Sequence, residues 1–317
     1  MEKICRRVFV SMVADRLLSP AQNAFKWAVV DRIKKCGYQP EVFYNPQTVE
    51  GIAARKSWTP VEAEEVIRQC VAGVIIGMPR WRFRDGKRNV LIPTEYSQYE
   101  GAILKTVNIP IMVLAQDNLF QRGVFEYNFG QFICKFPEDA DDNWLDTPEF
   151  QQALKIWLAD INDRRDVFLG YCSSSAGTAV HVRTYLEKEL EATILDWRRD
   201  FSVARSVLEE IVEAGKRCSG AIFLFTKDDT ISDEPTKSKK QPFKGSQQRS
   251  EFAIPRDNVV FEAGYFIGIK GKRKVLVVRE QGAKMPADLG GDVYAALEDR
   301  RNIDSIKETL RRFTLGL

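Results

Sequence analysis

Two stretches, CVAGVIIGM at residues 70–78 and CSGAIFLFT at residues 218–226, decide how this sequence is expected to fold. Each is a nearly continuous apolar run with the length of a strand that is buried on both faces. Helix-like and strand-like segments alternate around both runs, which is typical of parallel strands joined by crossover helices. We therefore predict an α/β protein with two tandem domains, each a parallel sheet with helices on both faces.

The segments that flank these two runs follow one scheme in both halves of the chain. In the N-terminal half we predict strands at 7–13, 40–44, 71–78 and 109–115 and helices at 20–36, 59–70 and 95–105. In the C-terminal half we predict strands at 166–171, 191–195, 220–226 and 273–278 and helices at 178–190, 201–217, 259–269 and 304–313. The sequence EGAI at 100–103 also aligns with EAGY at 262–265. Either one α/β domain was duplicated, or the two halves share an alternation of strands and helices that is common to such folds.

The boundary between the domains is predicted from composition. Residues 137–143 (PEDADDN) are acidic and polar, as expected of a linker, and an amphipathic helix predicted at 147–162 either completes the first domain or bridges the two. We therefore expect a first domain at 1–136, a linker and bridging helix at 137–163, and a second domain at 164–317.

Two irregular stretches interrupt the predicted domains. Residues 231–250 are rich in Lys, Ser, Gln and Pro, so we expect a mobile loop that is either a solvated insertion, or a lid or phosphate-contacting loop. Residues 80–88 (RWRFRDGKR) are expected to form a basic loop, which either suits an anionic nucleotide or is simply exposed.

Composition argues against several classes of protein. Of 317 residues, 44% are hydrophobic and 29% are charged, as in soluble globular proteins, and no apolar run reaches the about 18 residues of a membrane span. A net charge of +3 is too balanced to predict nucleic-acid binding. Six scattered cysteines are typical of reduced thiols in a cytoplasmic protein. Because His181 is the only histidine, we expect neither a metal site nor histidine-based catalysis.

Residues that follow the predicted strands are candidate binding residues, since open parallel sheets bind ligands beyond the carboxyl ends of their strands. Ser173 and Ser174 precede a helix, where they either hold a phosphate or act as ordinary caps. Trp197 and Arg198 could stack on a base and meet a pyrophosphate, or Trp197 is simply a partly buried aromatic. The other candidates in this half are Asp228, Asp229, Asn258 and Tyr265.

Glu262 is the candidate for catalysis. At helical spacing it shares a face with Val259 and Phe266, so we expect it to lie in a cleft rather than in solvent. A carboxylate in such apolar surroundings is rare without a role. In the N-terminal half Glu100 is the matching carboxylate, and Glu95 is a rival that lies nearer the preceding strand.

Four stretches carry a resemblance to a known family. They are FLFTKDD at 223–229, RDNVVFEAGYFIG at 256–268, KVLVV at 274–278 and MPADLGG at 285–291. Over residues 164–317 they resemble the TIR-like predicted nucleotide-binding domains of bacterial antiphage defence effectors. The resemblance implies a TIR-like, flavodoxin-like domain and a catalytic role for Glu262. The N-terminal half is loosely similar to the TIR and nucleoside deoxyribosyltransferase superfamily, which makes Glu100 a candidate second-site carboxylate.

The same resemblance implies a regulated NAD glycohydrolase of antiphage defence, with NAD as substrate and no cofactor. Nicotinamide leaves from a cationic ring and needs no proton, so one carboxylate that stabilises an oxocarbenium-like ribose is sufficient. We expect a homo-oligomer without a membrane partner, switched on by a nucleotide second messenger or a protein activator. Two alternatives stay open: a nucleoside or nucleotide N-glycosidase or deoxyribosyltransferase using Glu100 or Glu262, and a non-catalytic TIR-like module that assembles or senses nucleotides.

Overall fold

The computed structural model describes residues 4–43, 51–86, 88–127, 132–232, 251–286 and 294–317. Within these ranges the chain forms two compact units. The N-terminal unit comprises Cys5–Arg164, and the C-terminal unit comprises Arg165–Leu317 together with Ile4. No helix among the described residues has both the length and the apolar character that crossing a bilayer requires.

The N-terminal unit is built around five parallel strands in the order β2-β1-β3-β6-β7. A separate antiparallel hairpin, β4–β5, follows the central strand β3. Its strands are β1 (Arg7–Met12), β2 (Gln39–Glu41), β3 (Ala72–Gly77), β4 (Pro79–Asp85), β5 (Arg88–Pro93), β6 (Ile111–Gln116) and β7 (Ile133–Phe136). Its helices are α1 (Pro20–Lys35), α2 (Pro60–Ile67), α3 (Glu95–Val107) and α4 (Pro148–Asn162).

Local sequence explains where these helices begin and end. Ser19 caps α1 with a capping box, and Pro20 occupies the first helical position, where its missing N–H costs nothing. Thr94 caps α3 through its hydroxyl, and α3 ends at Asn108, which adopts the left-handed conformation that asparagine tolerates.

Helices cover both faces of the N-terminal sheet. One core contains Phe25 of α1 and Phe150 and Trp157 of α4, and the other contains Val66 of α2 and Leu104 of α3. The helix predicted at 147–162, which was expected either to complete the first domain or to bridge the two domains, is α4. It packs against the core of the N-terminal unit.

The C-terminal unit has the same arrangement, with five parallel strands in the order β14-β13-β10-β8-β9 and an antiparallel hairpin, β11–β12. Its strands are β8 (Arg165–Gly170), β9 (Ile194–Asp196), β10 (Cys218–Phe225), β11 (Asp229–Ser232), β12 (Glu251–Ile254), β13 (Val275–Glu280) and β14 (Ala295–Leu297). Its helices are α5 (Ala176–Glu189), α6 (Trp197–Asp200), α7 (Val207–Arg217), α8 (Asp257–Lys270) and α9 (Lys307–Leu315). Helices α5 and α9 pack on one face of the sheet, and α7 and α8 pack on the other.

The two units correspond strand by strand. Their strand orders match, and in each the hairpin lies between the central strand and the helix that carries the candidate glutamate. The register agrees as well. In the N-terminal unit Ala72 and Gly73 of β3 pair with β1, and Gly73 also pairs with β6. In the C-terminal unit Gly220 and Ala221 of β10 pair with β8, and Ala221 also pairs with β13. The predicted fold of two tandem flavodoxin-like domains, each with helices on both faces of a parallel sheet, is confirmed.

Several predicted elements were wrong in detail. Residues 80–88 were expected to form a loop, but they contribute to the hairpin β4–β5, in which charged and aromatic residues alternate. The helix expected at 201–217 begins only at Val207, because Ser206 caps it, and residues 197–200 form the separate helix α6. The edge strands β7 and β14 were not predicted. Of the loop expected at 231–250, residues 231–232 end β11 and 233–250 lie outside the described residues, as do residues 287–291 of the last resemblance block.

Candidate active site

Glu262 lies on α8, the helix that follows the hairpin β11–β12 at the carboxyl edge of the C-terminal sheet. The face of α8 that packs on the sheet consists of Val259, Ala263 and Phe266, which are 3%, 0% and 0% exposed. They join a core that includes Phe223 of β10. Glu262 is adjacent to this apolar stripe and is partly buried.

The Glu262 carboxyl is set apart by its electrostatic surroundings. Burial raises its pKa from 4.5 to about 7, and no hydrogen bond or neighbouring charge opposes that shift. Within the described ranges no side chain donates a hydrogen bond to it or forms an ion pair with it. A carboxyl with a pKa near neutrality and no partner among the residues that the structure describes is available to interact with a bound molecule.

The serine-containing loop after β8 is tied to the end of the central strand β10. Ser174 donates a hydrogen bond to Asp228, so the structure brings these two predicted binding residues together. Ser175 is buried, with its hydroxyl 2.5 Å from that of Thr226. Ser173 is exposed, and no capping hydrogen bond from the loop holds the start of α5. Ser174 is exposed as well but is engaged by Asp228, so Ser173 is the exposed serine of this loop that has no side-chain partner among the described residues.

The two aspartates after β10 have different surroundings. The Asp228 side chain is 1% exposed, and the Thr226 hydroxyl lies 2.9 Å from both of its carboxylate oxygens. The Asp229 side chain is 39% exposed and lies 3.4 Å from the Arg256 guanidinium. Asp228 therefore holds the serine loop against β10, whereas Asp229 remains accessible.

Trp197 and Arg198 begin helix α6 rather than a free loop. The Trp197 indole N–H donates to the Tyr171 carbonyl at 3.1 Å, and its ring packs against the Tyr171 ring with centroids 5.7 Å apart. The Arg198 guanidinium lies over the same indole at 5.6 Å. The tryptophan is thus partly buried and held by the core, while Arg198 is exposed.

Asn258 and Tyr265 lie on α8 with Glu262. Asn258 is exposed in the first turn. Tyr265 is partly buried, meets Phe266 edge to face at 5.9 Å, and leans towards α7, where a Cβ added at Gly215 would lie 3.1 Å from its ring. Tyr265 therefore packs between two helices, and among the described residues no hydrogen bond joins either residue to Glu262.

An ion pair at the same edge of the sheet was missed by the sequence analysis. Glu280, the last residue of β13, accepts hydrogen bonds from the Lys227 backbone N–H at 2.8 Å and the Arg300 Nε at 2.9 Å. Burial raises the pKa of Glu280, but these hydrogen bonds and the Arg300 charge outweigh burial and leave it below its usual value. Inspection of the residues at the carboxyl ends of the predicted strands would have found Glu280. Arg300 could not be found in this way, because it follows the edge strand β14, which the hydrophobic pattern did not predict.

Glu100 of the N-terminal unit is more deeply buried than Glu262. It is 5% exposed, and burial raises its pKa to about 7. The Trp58 indole N–H donates to its Oε1 at 2.7 Å. Its rival Glu95 is exposed and pairs with Arg80 at 3.0 Å. Among the described residues no group of three or more His, Cys, Asp or Glu side chains is arranged to hold a metal ion.

Comparison with known proteins identifies the class of the C-terminal unit. Residues 166–299 match the family model described as the TIR domain of the CAP12/Pycsar effector protein. This range contains β8 to β14 and the glutamate-bearing helix α8. The predicted resemblance is thereby confirmed: the C-terminal unit is similar to TIR domains of the CAP12/Pycsar type.

Individual relatives carry the same names. A CD-NTase-associated protein 12 from Flavobacterium daejeonense is 30% identical over 164 residues, which cover 47% of this chain and 47% of the relative. A second, from Sphingobacterium faecium, is 26% identical over 153 residues, covering 47% and 42%. The Pycsar effector protein BcPycTIR of Burkholderia cepacia is 28% identical over 137 residues, covering 41% and 40%. The chain therefore matches less than half the length of each of these relatives.

Proposed function

We propose that the C-terminal unit cleaves NAD at the bond between nicotinamide and ribose, with Glu262 as its catalytic carboxylate. One observation carries the proposal: in a domain of the CAP12/Pycsar TIR type, Glu262 is a partly buried carboxyl with no partner among the described residues and a pKa of about 7. Such a group is held ready for a substrate rather than used in the fold.

The chemistry needs little more than this carboxylate. As the C1′–N bond breaks, its electron pair moves to the nicotinamide nitrogen and neutralises the pyridinium, so nicotinamide leaves without a proton. The ribosyl carbon gains positive charge, which an ionised Glu262 stabilises across the short, poorly hydrated distance that burial provides. Water then adds to C1′ and releases one proton, giving ADP-ribose.

Accessible polar residues near the carboxyl ends of the strands are the proposed substrate contacts. Ser173, Arg198, Asp229 and Asn258 are exposed or accessible and are proposed to bind the phosphates and hydroxyls of NAD. Ser174, Asp228, Trp197 and Tyr265 are held by protein partners, and we assign them to positioning of the loops and helices around the site.

The names of the relatives support a role beyond catalysis. We propose that this protein is an effector in antiphage defence that acts in the cytoplasm as a homo-oligomer. We also propose that a nucleotide second messenger or a protein activator controls its NAD cleavage. The support is that matched relatives are named as a Pycsar effector and as CD-NTase-associated proteins.

The test is nicotinamide release from NAD by the purified full chain, followed by chromatography, with and without a panel of cyclic nucleotides. Glu262→Gln, which keeps the size of the side chain but cannot carry the charge, is expected to lose about 100-fold or more of the rate. The matched control is Glu298→Gln, since Glu298 is an exposed glutamate of the same unit.

The assay also separates the proposal from its alternatives. Adenosine and other nucleosides in parallel reactions report base release that would indicate a nucleoside N-glycosidase instead. Absence of nicotinamide release under every condition, or full activity of Glu262→Gln, would contradict the proposal.

A further inference from the structure

The N-terminal unit contains a cavity of about 560 Å³ that the proposed NAD chemistry does not use. Residues following β1 and β2 form its walls together with the start of α3, so it lies at the carboxyl edge of the sheet, where β1 and β3 are neighbours and the strand order changes direction. Both its size and its position are typical of small-molecule sites in open α/β sheets. The lining residues that matter below are Arg16, Lys26, Phe43, Trp58, Tyr96 and Glu100.

One end of the cavity offers a buried acceptor. Glu100 is 5% exposed, yet its described neighbours are the Trp58 N–H at 2.7 Å and the Ser11 hydroxyl, which are neutral donors. A carboxylate has two oxygens with about four acceptor positions, so these donors leave capacity for a ligand. Burying a carboxyl without a cation is costly, and a structural role would be served more cheaply by an apolar side chain.

Basic side chains also line the cavity. Arg16 is exposed and, within the described residues, has no hydrogen-bond or ion-pair partner. The Arg80 Nε is shielded from solvent and has no hydrogen-bond partner, although the other end of that guanidinium pairs with Glu95. Lys26 is already engaged by Asp15 at 2.5 Å. Of the three cations that line the cavity, Lys26 is paired with Asp15 and Arg80 with Glu95, so Arg16 is the one without a partner among the described residues and is available to attract an anionic ligand.

Aromatic side chains form a further wall of the cavity. The Trp58 ring meets the Tyr96 ring edge to face at 4.4 Å, and the Phe43 ring lines the same cavity. Flat, apolar surfaces of this kind accept a nucleobase by stacking or edge contacts. A fitting ligand thus combines a planar base, hydrogen-bond donors and a negative charge within one small molecule.

We infer that this cavity binds a mononucleotide, with its base against the aromatic wall, its ribose or base donating hydrogen bonds to Glu100, and its phosphate at Arg16. The internal correspondence of the units supports a nucleotide over other anions, because Glu100 occupies on α3 the position that Glu262 occupies on α8. That last step rests on the proposed NAD site, whereas the cavity, its charges and its aromatic wall do not.

Isothermal titration of the full chain with AMP and with UMP tests the inference, in a Glu262→Gln background that keeps the proposed NAD site inactive. We expect at least one of them to bind, and Arg16→Ala and Glu100→Gln each to weaken that binding about tenfold or more. The matching nucleoside, which lacks the phosphate, should bind more weakly than its monophosphate and should not respond to Arg16→Ala.

Matched controls separate the site from general effects. Arg122→Ala removes another exposed arginine of the same unit and should leave the affinity unchanged. Because Arg16 is exposed, Arg16→Ala should not disturb folding. The affinity of this variant therefore decides the result even if Glu100→Gln disturbs folding. Absence of binding at millimolar nucleotide, affinity unaffected by both variants, or equal binding of ribose 5-phosphate would overturn the inference. Nicotinamide release by the wild type is measured separately and does not depend on this result.

Discussion

Glu100 and Glu262 lie at the same position of corresponding helices, five residues after Glu95 at the start of α3 and Asp257 at the start of α8. Burial raises the pKa of both to about 7. Their neighbours differ, since Glu100 is enclosed and accepts a hydrogen bond from Trp58, whereas Glu262 is more exposed and has no partner among the described residues.

This difference separates what the fold supplies from what the local sequence supplies. The shared topology places a carboxyl beside the central strand and partly removes it from water in both units. The residues around that carboxyl then decide what it can do. In the N-terminal unit they form a cavity with aromatic and basic walls, and in the C-terminal unit they leave a partly exposed carboxyl.

The pH dependence of NAD cleavage sharpens the comparison most strongly. If ionised Glu262 is required, the rate falls about tenfold per pH unit well below its pKa of about 7, or about 50-fold from pH 7 to pH 5, and levels off above pH 8. Initial rates at subsaturating NAD measure this profile. Glu100→Gln should give the same profile, and a flat or falling curve between pH 5 and pH 7 would refute the assignment.

Packing beside the two glutamates differs by one methyl group. A Cβ added at Gly101 would lie 2.3 Å from the Val124 side chain, whereas the corresponding position on α8 is Ala263, which is 0% exposed. We expect Gly101→Ala to destabilise the N-terminal unit by about 3 kcal/mol, because α3 must move away from its neighbours. Hydrogen exchange of peptides covering 95–107 measures the loss.

Gly264→Ala on α8 is the matched control for this change. A Cβ there meets nothing within 4 Å, so removing a helical glycine should stabilise α8 by up to about 1 kcal/mol. If residues 95–107 were equally protected from hydrogen exchange in the wild type and in Gly101→Ala, this result would show that α3 is not closely packed.

Charge burial at Glu100 gives a smaller effect with a defined pH window. The folded-state pKa of about 7 exceeds the ordinary 4.5, so ionisation costs stability as pH rises from about 4.5 to 7, and the cost is complete above 7. Glu100→Gln should therefore increase the protection of 95–107 at pH 8 by about 2 kcal/mol and should lose this advantage below pH 4.5. A pH-independent difference would contradict the burial of an ionisable carboxyl.

The sequence predicted the strands and helices that form the two cores. Apolar runs such as 72–77 and 220–225 are buried in the structure, because periodicity and composition report directly on burial. Two of the four edge strands, β7 and β14, escaped prediction; edge strands of three or four residues are too short to show a full pattern, and β2 and β9 were predicted with shifted bounds. The hairpin β4–β5 escaped because its charged and aromatic residues are exposed on both faces, Trp81 and Phe83 on one and Arg82 and Arg84 on the other.

The candidate site was only partly accessible to sequence reasoning. The apolar spacing around Glu262 indicated restricted solvent access, and the structure places this residue beside the buried stripe of α8. The hydrogen bonds that hold Ser174 to Asp228 and Trp197 to Tyr171 join segments tens of residues apart, so no local pattern could predict them. The same is true of Trp58, which reaches Glu100 across 42 positions of sequence.

Nicotinamide release from NAD by wild type, Glu262→Gln and Glu100→Gln, measured side by side, tests the central claim that equivalent carboxyls serve different purposes. We expect Glu262→Gln to abolish release, while Glu100→Gln retains the chemistry at saturating NAD once the protein is in its active state. Release that survives in Glu262→Gln and disappears in Glu100→Gln would place the reaction in the N-terminal unit and contradict the account.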